Sequence, residues 1–509
     1  MENVIVVLVL IAGAVLHLSQ FLYNRSLWID EAWVALNLIH KNSLELLRPL
    51  DYGQVAPVLF LQIEKLFSTL LPNVEYGFWI FPFICFFAAL YFFYKIVKKN
   101  LPDSSEIVMA LSLFVFNIPF IWYSSETKQY MVEVFVFLSM FYFTQKDYQK
   151  VSNKYYTLGI AGVLSVFLSN VAPIALSVCG IYLLYDYFST KREKAIKPLL
   201  IVAASWLSAF LVYYFFFIYK HPLDGMMKNW WSKCDAFPPL NPIEMVQFLY
   251  ERFEVITFSL SSFNPKVGWC VYFLFISGII RLIWTKQIKL LIFTCVPILL
   301  HFILSIIELY PFVLYSYKSY HWATAFYLRL VLYILPCIMI ICSISFGFFV
   351  RFIFDRLKIK KLQPFLLIVI PVIFILSGSS SKFKISRHEI KTSITYIQEN
   401  IQKDENLYLT WQSAAAFKYY NDTGFVKISS SQIKGMVDGG ESIAGLIPED
   451  AEKFCMEGLK QLKGKYWIIM DPIFFHRNLE LFASKLKEFT ADNAWVCLYE
   501  FGKSETAVK

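Results

Sequence analysis

The chain has 509 residues, of which 57% are hydrophobic and 17% charged, well short of the roughly 25% charged residues of an ordinary soluble domain. Mean hydropathy is +0.53, and 50 Phe and 31 Tyr suit a lipid-facing surface with aromatic belts, so a wholly soluble protein is excluded. The formal charge of +9 is gathered in short loops between apolar runs, a pattern of membrane topology that sets nucleic acid aside as a partner.

A helix needs about 20 apolar residues to cross the hydrocarbon core. Runs of that kind lie near 3–23, 76–97, 105–122, 129–144, 155–169, 172–189, 198–219, 267–285, 290–309, 329–349 and 363–379, predicting roughly eleven spans. Alternate loops hold Lys95, Lys98 and Lys99; Lys146, Lys150 and Lys154; Lys191, Arg192, Lys194 and Lys197; Arg281, Lys286 and Lys289; and Arg351, Arg356, Lys358, Lys360 and Lys361. Positive charge marks these loops as cytoplasmic. The amino terminus is then inside, and the loops 24–75, 220–266 and 310–328, with everything after 380, are outside. Glu2 and Arg25 run against the rule locally, and the later loops outvote them. A cleaved signal peptide over 1–23 is the other reading of the first run, but it lacks a basic start and a small-residue cleavage site.

Two outer segments carry chemistry-bearing residues. The first reads Ser26-Leu27-Trp28-Ile29-Asp30-Glu31-Ala32-Trp33, followed by Pro49-Leu50-Asp51-Tyr52-Gly53-Gln54-Val55-Ala56-Pro57. Helical neighbours diverge by about 100°, so Asp30 and Glu31 cannot share one role. One can face a cavity as a general base while the other caps the helix or pairs with a cation; a plain acidic helix start, favoured by the macrodipole, remains the alternative. The second, Tyr123-Ser124-Ser125-Glu126-Thr127-Lys128-Gln129-Tyr130, reads as a short outer turn that puts Glu126 and Lys128 at the membrane surface.

The outer loop 220–266, with Trp230-Trp231 and Pro238-Pro239, either forms interfacial helices or simply connects two spans. Further along, Arg329 opens a span from outside, preceded by Lys318 and His321. It can snorkel to lipid phosphate or bind a phosphate ligand through its planar fork. The seven His are scattered without an H-x-x-x-H; a divalent metal could use Asp30 or Glu31, though no spacing requires one.

After Ser377-Gly378-Ser379-Ser380 the composition becomes that of a soluble domain. Strands are predicted at 407–411, 465–470 and 495–499, and helices at 389–402, 412–420, 449–462 and 478–490, which makes a small α/β domain. It has no G-x-G-x-x-G or Walker loop for a nucleotide. The fold class is therefore mostly α and polytopic over 1–380, with an extracytoplasmic α/β domain at 381–509. Of nine cysteines, only Cys234, Cys455 and Cys497 read as water-accessible, and a Cys455–Cys497 disulfide is one option.

At Trp28-Ile29-Asp30-Glu31-Ala32 and Tyr123–Tyr130 the chain resembles the GT-C superfamily of membrane glycosyltransferases. It looks most like bacterial relatives of the protein O-mannosyltransferases, a group that includes aminoarabinose–lipid A and Rgt-type core transferases. The likeness in layout runs the length of the chain. It implies a polyprenyl-phosphate sugar donor, an acceptor outside the cytoplasm, and a bacterial plasma membrane as the site of action. It makes Asp30 the catalytic base or an acceptor-orienting acid, and Glu31 its support. By charge and by side of the membrane, Arg329 and Lys128 are the candidates for binding the donor phosphate, and Tyr52, Gln54, Tyr123, Glu126 and His321 the candidate substrate contacts. The aminoarabinose transferases have a lysine before the proline late in the first loop; this chain has Gln54-Val55-Ala56-Pro57, which weakens lipid A as acceptor. The rival classes are a lipid-linked glycan flippase, which would need ionisable residues at mid-membrane, and a non-catalytic envelope assembly protein.

Overall fold

The first apolar run folds into α1 (Glu2–Leu22), and α2 (Ile29–His40) and α3 (Val58–Leu70) follow in the first loop. The computed structural model describes residues 2–190, 196–260, 265–313, 328–359, 363–376, 384–443, 446, 448–470, 479–491 and 494–502. Helices α4 (Val74–Asn100), α5 (Ser104–Val115), α6 (Ile118–Tyr123), α7 (Tyr130–Gln145), α8 (Val151–Leu168), α9 (Ala172–Thr190) and α10 (Ile196–Tyr213) come next. After a π-helical turn at Tyr214–Ile218 come α11 (Asp224–Lys233), α12 (Pro242–Ser259), α13 (Pro265–Trp284) and α14 (Ile288–Ile306). A 3-10 segment (Leu328–Ile334) runs into α15 (Leu335–Leu357), and α16 (Gln363–Leu376) is the last apolar helix.

The chain divides into two compact units. One comprises Met1–Leu22, Ala56–His221 and Trp231–Lys384; the other Tyr23–Val55, Pro222–Trp230 and Ile385–Lys509. The long helical unit is that of a multi-pass membrane protein. Among the described residues, seven of its helical stretches are long and apolar enough to cross a bilayer: Asn3–Leu22, Val74–Asn100, Ala172–Ser189, Ile196–Ile218, Val267–Trp284, Ile288–Ile306 and Leu328–Leu357. The last is 94% buried and so forms the centre of the bundle. Shorter apolar helices stand at Ser104–Val115, Tyr130–Gln145 and Phe365–Phe374.

The run expected as one span at 105–122 is broken in two. Asn117 turns its side chain onto the Phe120 N–H and Pro119 follows in the first turn, so α6 begins anew where α5 would have continued. Close helix contacts are made where glycine removes a side chain: a Cβ at Gly162 on α8 would fall 2.0 Å from Nε1 of Trp206 on α10. That indole donates instead to the Leu158 carbonyl at 2.9 Å. The loop 220–266 does form helices, α11 and α12.

The second unit is built on a five-stranded mixed sheet of order β2-β1-β3-β5-β4, with β1 (Glu405–Leu409), β2 (Ile433–Gly435), β3 (Gly464–Met470), β4 (Ala483–Ala491) and β5 (Ala494–Phe501). The strands β2, β1 and β3 are parallel, and β5 and β4 are antiparallel additions. Its helices are α17 (Ile390–Asn400), α18 (Trp411–Asp422) and α19 (Pro448–Leu459). The parallel crossover from β1 to β3 runs by way of helices, as such connections require.

The expectation of a helix over 478–490 is corrected. Residues 483–491 form the edge strand β4, paired to β5 with a bulge between Lys485 and Lys487. The ladder along β5 overrides the helical propensity of Ser484-Lys485-Leu486-Lys487-Glu488, and Phe489 gains a stacked contact with Tyr396 at 4.1 Å. The disulfide option is also corrected: Cys455 and Cys497 are both free and both buried.

Candidate functional site

In the unit that holds the sheet, the acidic pair opens α2. The backbone N–H groups of Ser26, Leu27 and Trp28, which lead into that helix, each donate to a side chain. Ser26 N–H donates to Glu389 Oε1 at 3.2 Å, Leu27 N–H to Tyr420 Oη at 2.9 Å, and Trp28 N–H to Glu31 Oε2 at 3.1 Å. The last of these is half of a capping box with Trp28 in the capping position.

Glu31 is wholly buried and takes both guanidinium nitrogens of Arg25, Nη1 at 2.5 Å and Nη2 at 3.0 Å. A divalent ion at the pair would have to displace that bidentate fork. Among the described residues no group of three metal-ligand side chains comes together. Asp30 occupies the next helical position, half-buried in the first turn, where the helix dipole favours a carboxylate.

Around this start, Arg387 places its guanidinium 4.1 Å from the Trp28 ring centroid, and the buried His388 stands edge-on to the same ring at 6.5 Å. Burial draws the pKa of the His388 imidazole down to about 4, only partly offset by the Met470 backbone. Trp33 Nε1 donates to the Gly439 carbonyl at 3.0 Å. Asn37 brackets Asp51: its Nδ2 donates to the Asp51 carbonyl at 3.3 Å and its Oδ1 accepts the Asp51 N–H at 2.9 Å.

Asn37 thereby fixes the turn at Tyr52, which has a left-handed φ of 59°, before Gly53 at 63°. Burial, then the charges of Glu441, Asp422, Asp51 and Asp438, push the Tyr52 phenol up to about 12. Gln54 is buried and donates Nε2 to the Tyr52 carbonyl at 3.2 Å.

In the helical unit, the segment Tyr123–Tyr130 joins α6 to α7. The turn expected at the surface is instead buried throughout, with Glu126 at 2% and Lys128 at 5% exposure. Some of its polar groups find partners within the segment, on α6 or on α1. Trp122 Nε1 donates to Glu126 Oε2 at 3.0 Å, Lys128 N–H to the Glu126 carbonyl at 2.7 Å, and Ser124 Oγ meets Nδ1 of the buried His17 at 2.9 Å. Tyr123 and Tyr130 meet edge to face at 5.3 Å.

Arg329 sits half-buried on the 3-10 segment, its guanidinium carbon 5.6 Å from the Trp231 centroid. That segment packs on both α6 and α7, the helices the Lys128 turn connects. His321 and Lys318 lie outside the described residues.

Sequence reasoning missed Arg25, Ser26, Glu389 and Tyr420 as parts of the site. Arg25 was visible only as a charge at odds with topology, and its partner six residues on supplies the reason. Glu389 and Tyr420 stand 363 and 393 positions away from what they hold, and no local pattern reports such a contact.

Compared with known proteins, the chain matches no family model and no curated sequence. Among solved structures it is similar to ArnT from Cupriavidus metallidurans. With undecaprenyl phosphate bound, that protein aligns over 97% of both chains at 11% identity and a TM-score of 0.36. In its apo state it aligns over 97% of both chains at 10% identity and a TM-score of 0.38.

Proposed function

We propose that the protein is a membrane glycosyltransferase of the GT-C kind, moving a sugar from a polyprenyl-phosphate donor to a hydroxyl of an envelope glycan, lipid or protein outside the cytoplasm. The observation that carries the reading is the placing of the acidic pair in the first turn of α2. Glu31 is engaged by Arg25 and the Trp28 N–H, and Asp30, the residue before it, is a half-buried carboxylate in the same turn. The resemblance of Trp28–Ala32 and Tyr123–Tyr130 to that superfamily supplies the reaction class.

In this reading Asp30 accepts the proton of the attacking acceptor hydroxyl. The hydroxyl oxygen bonds to the anomeric carbon as the bond to the donor phosphate breaks, as in other inverting sugar transfers. Lys128 and Arg329 bind the phosphate and offset the charge it gains on leaving. Glu126, Tyr123, Tyr52, Gln54 and His321 contact the substrates, and the reacting face lies outside a bacterial plasma membrane.

The test replaces Asp30 by Asn and measures transfer from a polyprenyl-phosphate sugar to envelope acceptors in proteoliposomes. Loss of a general base predicts a fall of about 10²-fold or more in kcat. Undiminished transfer by a folded variant would overturn the assignment.

A further inference from the structure

We propose that Glu389, at the start of the first helix after the apolar segments, is a positioning residue for Asp30. It acts by fixing the backbone from which that carboxylate is presented. The inference rests on the glycosyltransferase reading above.

Its geometry is specific. Glu389 is the residue before α17, yet its carboxylate does not cap that helix. It points instead at Ser26 and takes three donors: Ser26 N–H at 3.2 Å, Ser26 Oγ at 2.9 Å and Ser386 Oγ at 2.6 Å. Ser26 Oγ in turn accepts the Lys391 N–H from the first turn of α17 at 2.8 Å, and the Ser26 carbonyl accepts from Arg25 Nη1 at 3.0 Å. Every hydrogen-bonding group of Ser26 is thereby held. All three side chains are buried, Ser26 at 3%, Ser386 at 5% and Glu389 at 6% exposure.

Ser26 lies four residues before Asp30. Between them the Leu27 and Trp28 N–H groups are held by Tyr420 and Glu31. A backbone clamped at three successive residues has no freedom to swing the first turn of α2, and a misplacement of about 1 Å can cost 10²-fold in rate. A carboxylate serves this purpose because it accepts from the amide and the hydroxyl together; the amide of Gln offers one acceptor oxygen in place of two.

The experiment uses the full-length protein in proteoliposomes, with E389Q, S26A and the double variant. It reads kcat and donor KM, the acidic limb of the kcat–pH profile, and amide hydrogen exchange of residues 24–32. The expected result is a fall in kcat of about tenfold or more in E389Q with donor KM within about twofold, and an acidic limb moved by about half a pH unit. Exchange at Ser26 should accelerate at least tenfold. S26A should show the same kinetic pattern, and the double variant should be no worse than the poorer single variant, because both act through one contact.

An activity loss that only tracks the folded fraction would leave the survivors with the parental pH limb, and that outcome overturns the proposal. So does parental kcat in E389Q. The underlying reading is separated by D30N. A dead D30N beside a fully active E389Q sinks the positioning role alone, whereas an active D30N sinks the glycosyltransferase assignment. If E389Q fails to fold, S26A and S386A, which keep the carboxylate, carry the same kinetic and exchange readouts.

Discussion

Adjacent positions on a helix point about 100° apart, and at Asp30-Glu31 that divergence separates two fates for one kind of side chain. Glu31 faces inward to a buried arginine; Asp30 stays half-buried at the helix start. A buried pair stripped of one partner leaves an uncompensated charge, so Glu31→Gln is expected to lower stability by about 3–5 kcal/mol. Arg25→Met combined with Glu31→Met should cost much less, which thermal unfolding of the purified variants will show. The proposed donor-phosphate role of Arg329 can be tested as fork against point charge: under it, Arg329→Lys keeps the cation but not the planar fork, and should raise donor KM about tenfold, or about 1.4 kcal/mol, with kcat less affected.

Elements follow local rules until packing overrules them. The break between α5 and α6 was legible in Asn117 and Pro119 but masked by the surrounding apolar run, whereas β4 was not legible, because its residues favour helix and only the neighbouring β5 makes them a strand. The contact of α8 with α10 depends on the missing side chain at Gly162. Gly162→Val should force the helices apart and break the Trp206–Leu158 bond, at about 1–3 kcal/mol, read as a lower melting temperature in detergent. Trp206→Phe, which removes the same bond without overpacking, should cost nearer 1 kcal/mol.

Across the whole molecule, the unit carrying the acidic pair has its own pH dependence. Burial holds His388 at about 4 against an ordinary 6.5, so the neutral ring is favoured when folded. Its contribution is complete above about pH 6.5 and drains away as pH falls toward about 4, a loss on the order of 3 kcal/mol. Asp422 acts in the same direction at lower pH: burial would raise it, but His40 and Lys418 outweigh burial and hold it low, so its contribution is lost only as pH falls below the ordinary 3.8, and the change nearer neutrality belongs to His388. Protease resistance of residues 385–502 should therefore weaken between pH 7 and 5, and His388→Gln should flatten that slope.

The sequence by itself determined the membrane class and the small α/β domain, and singled out the two segments proposed to carry chemistry, because apolar run length, composition shift and short motifs are local properties of the chain. It determined that the two acids must differ without saying what each would meet. Only the tertiary structure decided that Arg25 neutralises Glu31, that Glu389 and Tyr420 hold the backbone ahead of Asp30, and that the Glu126–Lys128 turn is buried. The Glu389 and Tyr420 contacts join residues 363 and 393 positions apart, and even the six-residue Arg25–Glu31 pair forms only where the fold buries both side chains, because buried polar groups are tolerable only when partnered.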